Sequence, residues 1–320
     1  MKTKIIKSIS FVTILIVILV ALSALYRPKN NSVEAGMHYR GASGILAEPE
    51  NTIDMIVIGN SEAYTSIIPM ELWNDYGYTS YVCASPEQIL PVSVKILGES
   101  IKKQKPKVVM LEASNLNTTS DFSDASDQVL NYGLKVFQYH DRWKSTKKED
   151  FGNKPEYNNV NFMKGYEFSD EVNGLEKQPT EEKKMDETAI PKSNQMYVKT
   201  LKKICDKNGA KFVIVSIPSF KYWSHETHNE IQNFCDKNKI EYLDLNLHKD
   251  EVCVDWTKDT SDNGEHLNYN GAIKTTKWIG KHLDERKYLK NHKNEEKYRH
   301  WDEEYNKYKS KAKGNNLDNV

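Results

Sequence analysis

Apolar residues fall in short blocks along this chain, and the blocks alternate between two periods. Residues 55–59, 80–83, 108–112, 211–217 and 241–244 are brief runs rich in β-branched and aromatic side chains, closed by Gly, Asn, Pro or charged residues, which predicts strands. Residues 69–76, 89–103, 195–208, 226–238 and 271–286 space their apolar side chains by three and four, which predicts helices. Such alternation requires right-handed crossovers and a mostly parallel sheet with helices on both faces. The expected class is α/β. From Thr118 to Ser193 the pattern is lost among Asp, Lys, Glu and Asn, with Gly152, Pro155, Gly165, Gly174 and Pro179 as breakers. This stretch is expected to be an insertion over the mouth of a site. Within it, Phe137 to Trp143 suits either the lining of an acceptor groove or an amphipathic helix covering the sheet. Glu176 to Asp186 is expected to be a solvated loop.

The longest apolar run, Ser8 to Tyr26, follows Lys2, Lys4 and Lys7. It has the length of a membrane-spanning helix, and positive charge before it predicts the amino end in the cytoplasm and the rest outside. Small residues at Ala21-Leu22-Ser23 also suit a cleaved signal, but the run is longer than a signal core, which favours an uncleaved anchor. The expected organisation is an anchor over 1–27, a linker over 28–50, one catalytic domain over 51–287 with the insertion 118–193, and a charged amphipathic tail over 288–320. In that tail Tyr298, Trp301, Tyr305 and Tyr308 recur at helical spacing among Lys and Glu. The aromatic stripe suits packing back on the domain, or docking to a membrane protein or the headgroup region; Gly314 to Val320 is expected to be disordered.

Without the apolar head and charged tail roughly 240 residues remain, enough for one α/β domain. Lys and Arg number 45, as do Asp and Glu, and the cations are spread among acids, so nucleic acid is an unsuitable partner. Cys83, Cys205, Cys235 and Cys253 lack the close pairing of a zinc site and are expected to be buried small hydrophobes. No metal or cofactor is expected.

The candidate chemistry starts at Ile56-Val57-Ile58-Gly59-Asn60-Ser61. A β-branched run that breaks at glycine and presents a serine describes a buried strand delivering a nucleophile to its carboxyl end, where open α/β sheets hold their sites. Taken alone, Ser61 reads better as an N-cap, and it is the other blocks that reverse that reading. Late in the chain His266 follows Asp255, Asp259 and Asp262 in a Gly/Asn loop before the last domain helix, where a base and its orienting carboxylate are needed to activate a hydroxyl. His140 is the weaker candidate base, because no strand-end loop sets it beside Ser61.

From about Thr52 to Leu283 the chain resembles the SGNH/GDSL hydrolase superfamily, in particular its membrane-anchored extracytoplasmic Gram-positive branch. The blocks that carry the resemblance are Gly59-Asn60-Ser61, Ala84-Ser85-Pro86-Glu87-Gln88, Glu112-Ala113-Ser114-Asn115 and Asp262-Asn263-Gly264-Glu265-His266-Leu267-Asn268, in that order. The resemblance implies a flavodoxin-like sheet order, Ser61 as nucleophile, His266 as base, and an oxyanion hole from Ser61, Ser85 and Asn115. Two departures stand out: the second block lacks its glycine, so Ala84 or Ser85 would supply that N–H, and the usual Asp-x-x-His spacing falls on Asn263. The acid is therefore expected at Asp262, with Asp259 as the alternative. Relatives of this branch serve envelope acylation, including teichoic-acid D-alanylation and polysaccharide O-acetylation. The implied activity is a serine esterase or O-acyltransferase acting on a cell-envelope glycopolymer or acyl ester, with a membrane-bound O-acyltransferase as a partner. The alternatives are a degenerate glycan-binding member, with Trp143, Trp223 and Trp256 as stacking residues, and an assembly partner recruited through the tail.

Overall fold

Five strands form one parallel sheet in this computed structural model: Met55–Gly59 (β1), Ser80–Ala84 (β2), Val108–Glu112 (β3), Lys211–Ser216 (β4) and Glu241–Asp244 (β5). Their order is β2-β1-β3-β4-β5, the flavodoxin-like arrangement. Residues 2–32, 35, 37, 40–118, 122–151, 154–179 and 189–314 are described. The chain divides into two compact units, one of Met1–Arg40 with Ser120–Asn159, the other of Gly41–Thr119 with Val160–Val320.

The first unit contains a 25-residue helix, Lys2–Tyr26 (α1), long and apolar enough to cross a membrane. Phe122–Gly133 (α2) and Lys135–Gln138 (α3) belong to the same unit. The expected insertion is thus divided. Residues 120–159 group with the apolar helix, whereas 160–179 belong with the sheet. Residues 180–188, which include part of the expected solvated loop, lie outside the described residues.

In the second unit every residue of β1, β2 and β3 is buried, as expected of strands covered on both faces. Met55, Val57, Val82, Val108, Met110, Val213 and Val215 pack on one face with Ala63, Ile67, Leu72, Ile279 and Leu283. Those partners come from Ser61–Ser66 (α4), from Ile67 at its C-cap, from Pro69–Tyr76 (α5) and, later in the chain, from Tyr269–Glu285 (α9). Against the other face lie Leu90–Lys103 (α6), Lys192–Lys207 (α7) and His225–Asn238 (α8), which bury Val92, Ile96, Leu97, Val198, Leu201, Ile231 and Phe234. Observed and expected boundaries differ by three residues at most, except for the six-residue helix at Ser61, which is too short to have a period.

Two expectations need correction. Cys83, Cys205 and Cys235 are buried, but Cys253 is exposed: it ends a short helical turn in a left-handed conformation, so its backbone leaves the core. The expected linker is in part core, since Ile45 and Glu48 are buried and Glu48 accepts two hydrogen bonds from the fully buried Lys164 ammonium.

Lys164 also pairs with Glu304 at 2.6 Å and lies over the Trp301 ring at 4.7 Å. Both partners belong to the tail helix His300–Ala312 (α10), which buries Trp301 and Tyr308. The Trp301 ring packs tilted against Trp73 of α5, with ring centroids 5.5 Å apart, and the Tyr308 hydroxyl donates to Glu71 at 2.7 Å. Of the two readings of the aromatic stripe, the described part of the tail follows the one that packs back on the domain; 315–320 lie outside the described residues. Trp301→Ala is expected to destabilise the protein by about 3–5 kcal/mol, because it opens a cavity and uncovers the buried ammonium. Urea unfolding checks this, and a loss below about 1 kcal/mol would mean that the tail contributes no core.

Candidate active site

β1 ends at Gly59 because no side chain fits there. A Cβ would sit 2.8 Å from the Glu112 Cβ and 2.9 Å from the Ala63 Cβ. The chain turns at Asn60, whose side-chain oxygen accepts the Glu62 N–H at 3.1 Å and caps α4. Asn60 therefore takes the capping role that the sequence left open for Ser61. Ser61, at the first helical position, turns its hydroxyl toward the Tyr64 phenol. Burial pushes that phenol up to about 12, the charges of Glu167 and Glu62 add to the rise, and the Ser61 hydroxyl opposes it.

Register brings the first three blocks together. Gly59 pairs with Ala84 and Ile58 with Leu111, so the turns after β1, β2 and β3 lie side by side at the carboxyl edge. Ser85 is buried there, and its hydroxyl donates to the Gln88 side chain at 2.8 Å. Asn115 accepts from the Asn60 amide at 3.1 Å and donates to the Gln88 carbonyl at 2.8 Å. One amide hydrogen of Asn115 is thereby used within the protein.

The fourth block is a tight loop closed by a bridge between Thr260 and Leu267, with Asn263 and Gly264 left-handed at its tip. Asp262 grips His266 twice. One carboxylate oxygen meets the ring Nδ1 at 2.5 Å, and the other accepts the His266 backbone N–H at 2.7 Å. Asp259 does something else: it is buried, accepts the Asp255 N–H at 2.7 Å and holds Lys274 at 2.6 Å. Asn268 caps α9 two residues beyond His266, and Thr275 and Thr276 of that helix bond to Ser66 and Ile68 just beyond Ser61. The histidine loop and the serine helix are thus locked to one another. His140 lies exposed in the other unit, and Trp223 is buried with its indole N–H on Asp244, so its ring offers no stacking surface.

Three further groups escape sequence reasoning. The backbone of 167–175 runs from Tyr64 past Thr260 and Asn263 to Trp256, exchanging hydrogen bonds of 2.7–2.9 Å along the way. Gly174 was the available signal, since a Cβ there would meet the Thr257 carbonyl oxygen at 2.3 Å. Glu265, beside the candidate base, accepts from Lys221 at 2.6 Å and from the Tyr222 hydroxyl at 2.7 Å, and those bonds, Lys221 first, hold its carboxyl below the usual range.

The third group is Glu62, buried directly after Ser61, with neither carboxyl oxygen bonded within the described residues. It lines a cavity of about 20 Å³, the size of one water, together with Glu112, Ser114, Ser216 and Tyr222. Burial raises the Glu62 pKa well above the usual carboxyl range, and the charges of Glu112, Glu265 and Asp262 raise it further. Burial likewise pushes Glu112 up to about 7, against hydrogen bonds from Ser114. Glu112 therefore holds a proton in the fold that it loses in the unfolded chain between pH 4.5 and 7, so its contribution to stability falls as pH rises through that range and levels above 7. Glu112→Gln is expected to flatten that fall by a few kcal/mol, read as the difference in melting temperature between variant and parent across this range. Parallel melting curves for the two proteins would show that Glu112 ionises freely.

No family model and no curated protein matches the chain. Among solved structures it is similar to a GDSL-like lipase from Bacteroides thetaiotaomicron, 12% identical over 78% of this chain and 98% of that one, with a TM-score of 0.41. A lipase/acylhydrolase from Enterococcus faecalis is 10% identical over 75% and 98% of the two chains, with a TM-score of 0.39. An acetyl xylan esterase from the rumen bacterium Butyrivibrio proteoclasticus is 9% identical over 76% and 66%, with a TM-score of 0.34.

Proposed function

We propose that this chain is a membrane-anchored serine esterase or O-acyltransferase working outside the cytoplasm on cell-envelope glycopolymers. The observation that supports the chemistry is the double grip of Asp262 on His266, beside which stands the capped turn that presents Ser61 at the carboxyl end of β1 as candidate nucleophile. With Nδ1–H donated to Asp262, the imidazole keeps Nε2 as the proton acceptor. Nε2 takes the Ser61 proton as Oγ attacks the acyl carbonyl, and the Ser61 and Ser85 N–H groups with the Asn115 amide stabilise the oxyanion. Collapse expels the alcohol, which receives the proton from His266, and leaves an acyl-enzyme. Water or a sugar hydroxyl then gives up a proton to the same base and takes the acyl group, and His266 returns that proton to the Ser61 Oγ as the acyl–oxygen bond breaks. Placement outside the membrane rests on Lys2, Lys4 and Lys7 before the apolar helix, and the glycopolymer acceptor and an O-acyltransferase partner on the resemblance of the four blocks.

A second reading, a binding-only protein, is favoured by two observations: Asn115 already gives a hydrogen to the Gln88 carbonyl, and the second block has no glycine. A fluorophosphonate probe followed by peptide mass spectrometry separates the two. Label on Ser61 supports the enzyme, and an unlabelled, folded protein supports the binding-only reading.

A further inference from the structure

Residues 135–151, singled out in the sequence as an aromatic and charged cluster, are tied to the end of the apolar helix. The Val136 N–H donates to the Ser23 hydroxyl at 3.0 Å, and the Arg142 guanidinium donates to the Tyr26 carbonyl at 2.7 Å, capping the last turn of α1. Asp150 holds the same guanidinium at 3.1 Å. Just beyond the helix, the Arg27 side chain donates to the Tyr157 hydroxyl at 2.7 Å and the Glu156 backbone N–H to the Lys29 carbonyl at 2.7 Å. Val136 and Tyr139 turn inward and are buried, but Phe137, Trp143 and Phe151 are exposed, the last two by more than 60%. Over 135–151 five cations, Lys135, Arg142, Lys144, Lys147 and Lys148, stand against three acids, Asp141, Glu149 and Asp150.

We propose that this segment lies on the lipid headgroup surface and fixes the exit of α1 there. The inference rests on α1 being a retained membrane anchor. If α1 spans the bilayer, whatever bonds to Ser23 and Tyr26 sits within a hydrogen bond of the end of the span, at headgroup depth. Exposed tryptophan and phenylalanine beside lysine and arginine are the side chains that partition there, the rings below the headgroups and the cations among anionic phosphates. The occupant of the exposed face is therefore a mixed anionic bilayer, and the acceptor-groove reading of Phe137 to Trp143 gives way to it.

The test uses the full-length chain in nanodiscs of phosphatidylcholine and phosphatidylglycerol brominated high on the acyl chain. Bromine quenches tryptophan on contact, and Trp143 is one of six tryptophans. Wild type is expected to lose up to about one sixth more of its emission than Trp143→Phe, and Phe151→Trp to lose more than wild type. Equal losses in all three proteins, with aqueous acrylamide reaching Trp143 as readily in discs as in detergent, would overturn the proposal. So would shielding of Trp143 in native membranes but not in lipid-only discs, which would assign the face to a protein. A chain stripped from the bilayer by alkaline carbonate would overturn the anchor itself, a failure distinct from unquenched Trp143 in a chain that stays.

Discussion

Ser61→Ala is expected to lower kcat on p-nitrophenyl acetate by about 10⁴-fold or more while the protein keeps its fold, because a nucleophile has no substitute in acyl transfer. The structural cost is small for a stated reason. Ser61 does not cap its helix, so removing its hydroxyl orphans no backbone donor, and stability should change by about 0.5 kcal/mol at most. Asn60→Ala provides the contrast. It strips the cap and the Asn115 contact, so it should cost about 1 kcal/mol and lower activity by misplacing Ser61. Melting temperature and kcat measured together separate the two effects. Full activity in Ser61→Ala would move the nucleophile elsewhere and dissolve the site.

The sheet was legible because its strands are covered on both faces and so appear as unbroken apolar runs, from Met55 to Gly59 and from Val108 to Leu111. The long helices were legible from their period. What escaped was set by contacts distant in sequence. The helix starting at Ser61 has six residues and no period, and its packing on Thr275 and Thr276 lies two hundred residues away. The segment 167–175 has no strand pattern because its hydrogen bonds go to loops, so only Gly174 marked it. In the candidate site the partners of the two acids were set by folding that the sequence does not display: Asp262 reaches both the ring and the backbone of His266 across a tight turn, whereas Asp259 is drawn to Lys274. The tail's stripe left two readings open, and the fully buried Lys164, unremarkable in sequence, is the group that Trp301 and Glu304 cover.

His266→Ala should match the loss of Ser61→Ala, since without the base the hydroxyl keeps its proton at neutral pH, and the double variant should lose little more. Asp262→Asn should lower kcat by roughly 10³- to 10⁴-fold with KM nearly unchanged. The amide can still accept the His266 backbone N–H through its oxygen, so the loop keeps its shape, but its NH₂ then faces Nδ1 and selects the tautomer whose Nε2 carries the proton. Such a variant should recover part of its rate as pH rises and hydroxide removes the serine proton directly. Asp259→Asn should behave differently. It weakens the hold on Lys274 and Asp255 beneath the loop, so its cost should be mainly in stability, with kcat reduced about tenfold or less. The pair of asparagine variants thus assigns the acid by opposite signatures. A folded Asp259→Asn enzyme with the greater loss of kcat would transfer the role from Asp262, and the grip on His266 would then serve only to shape the loop.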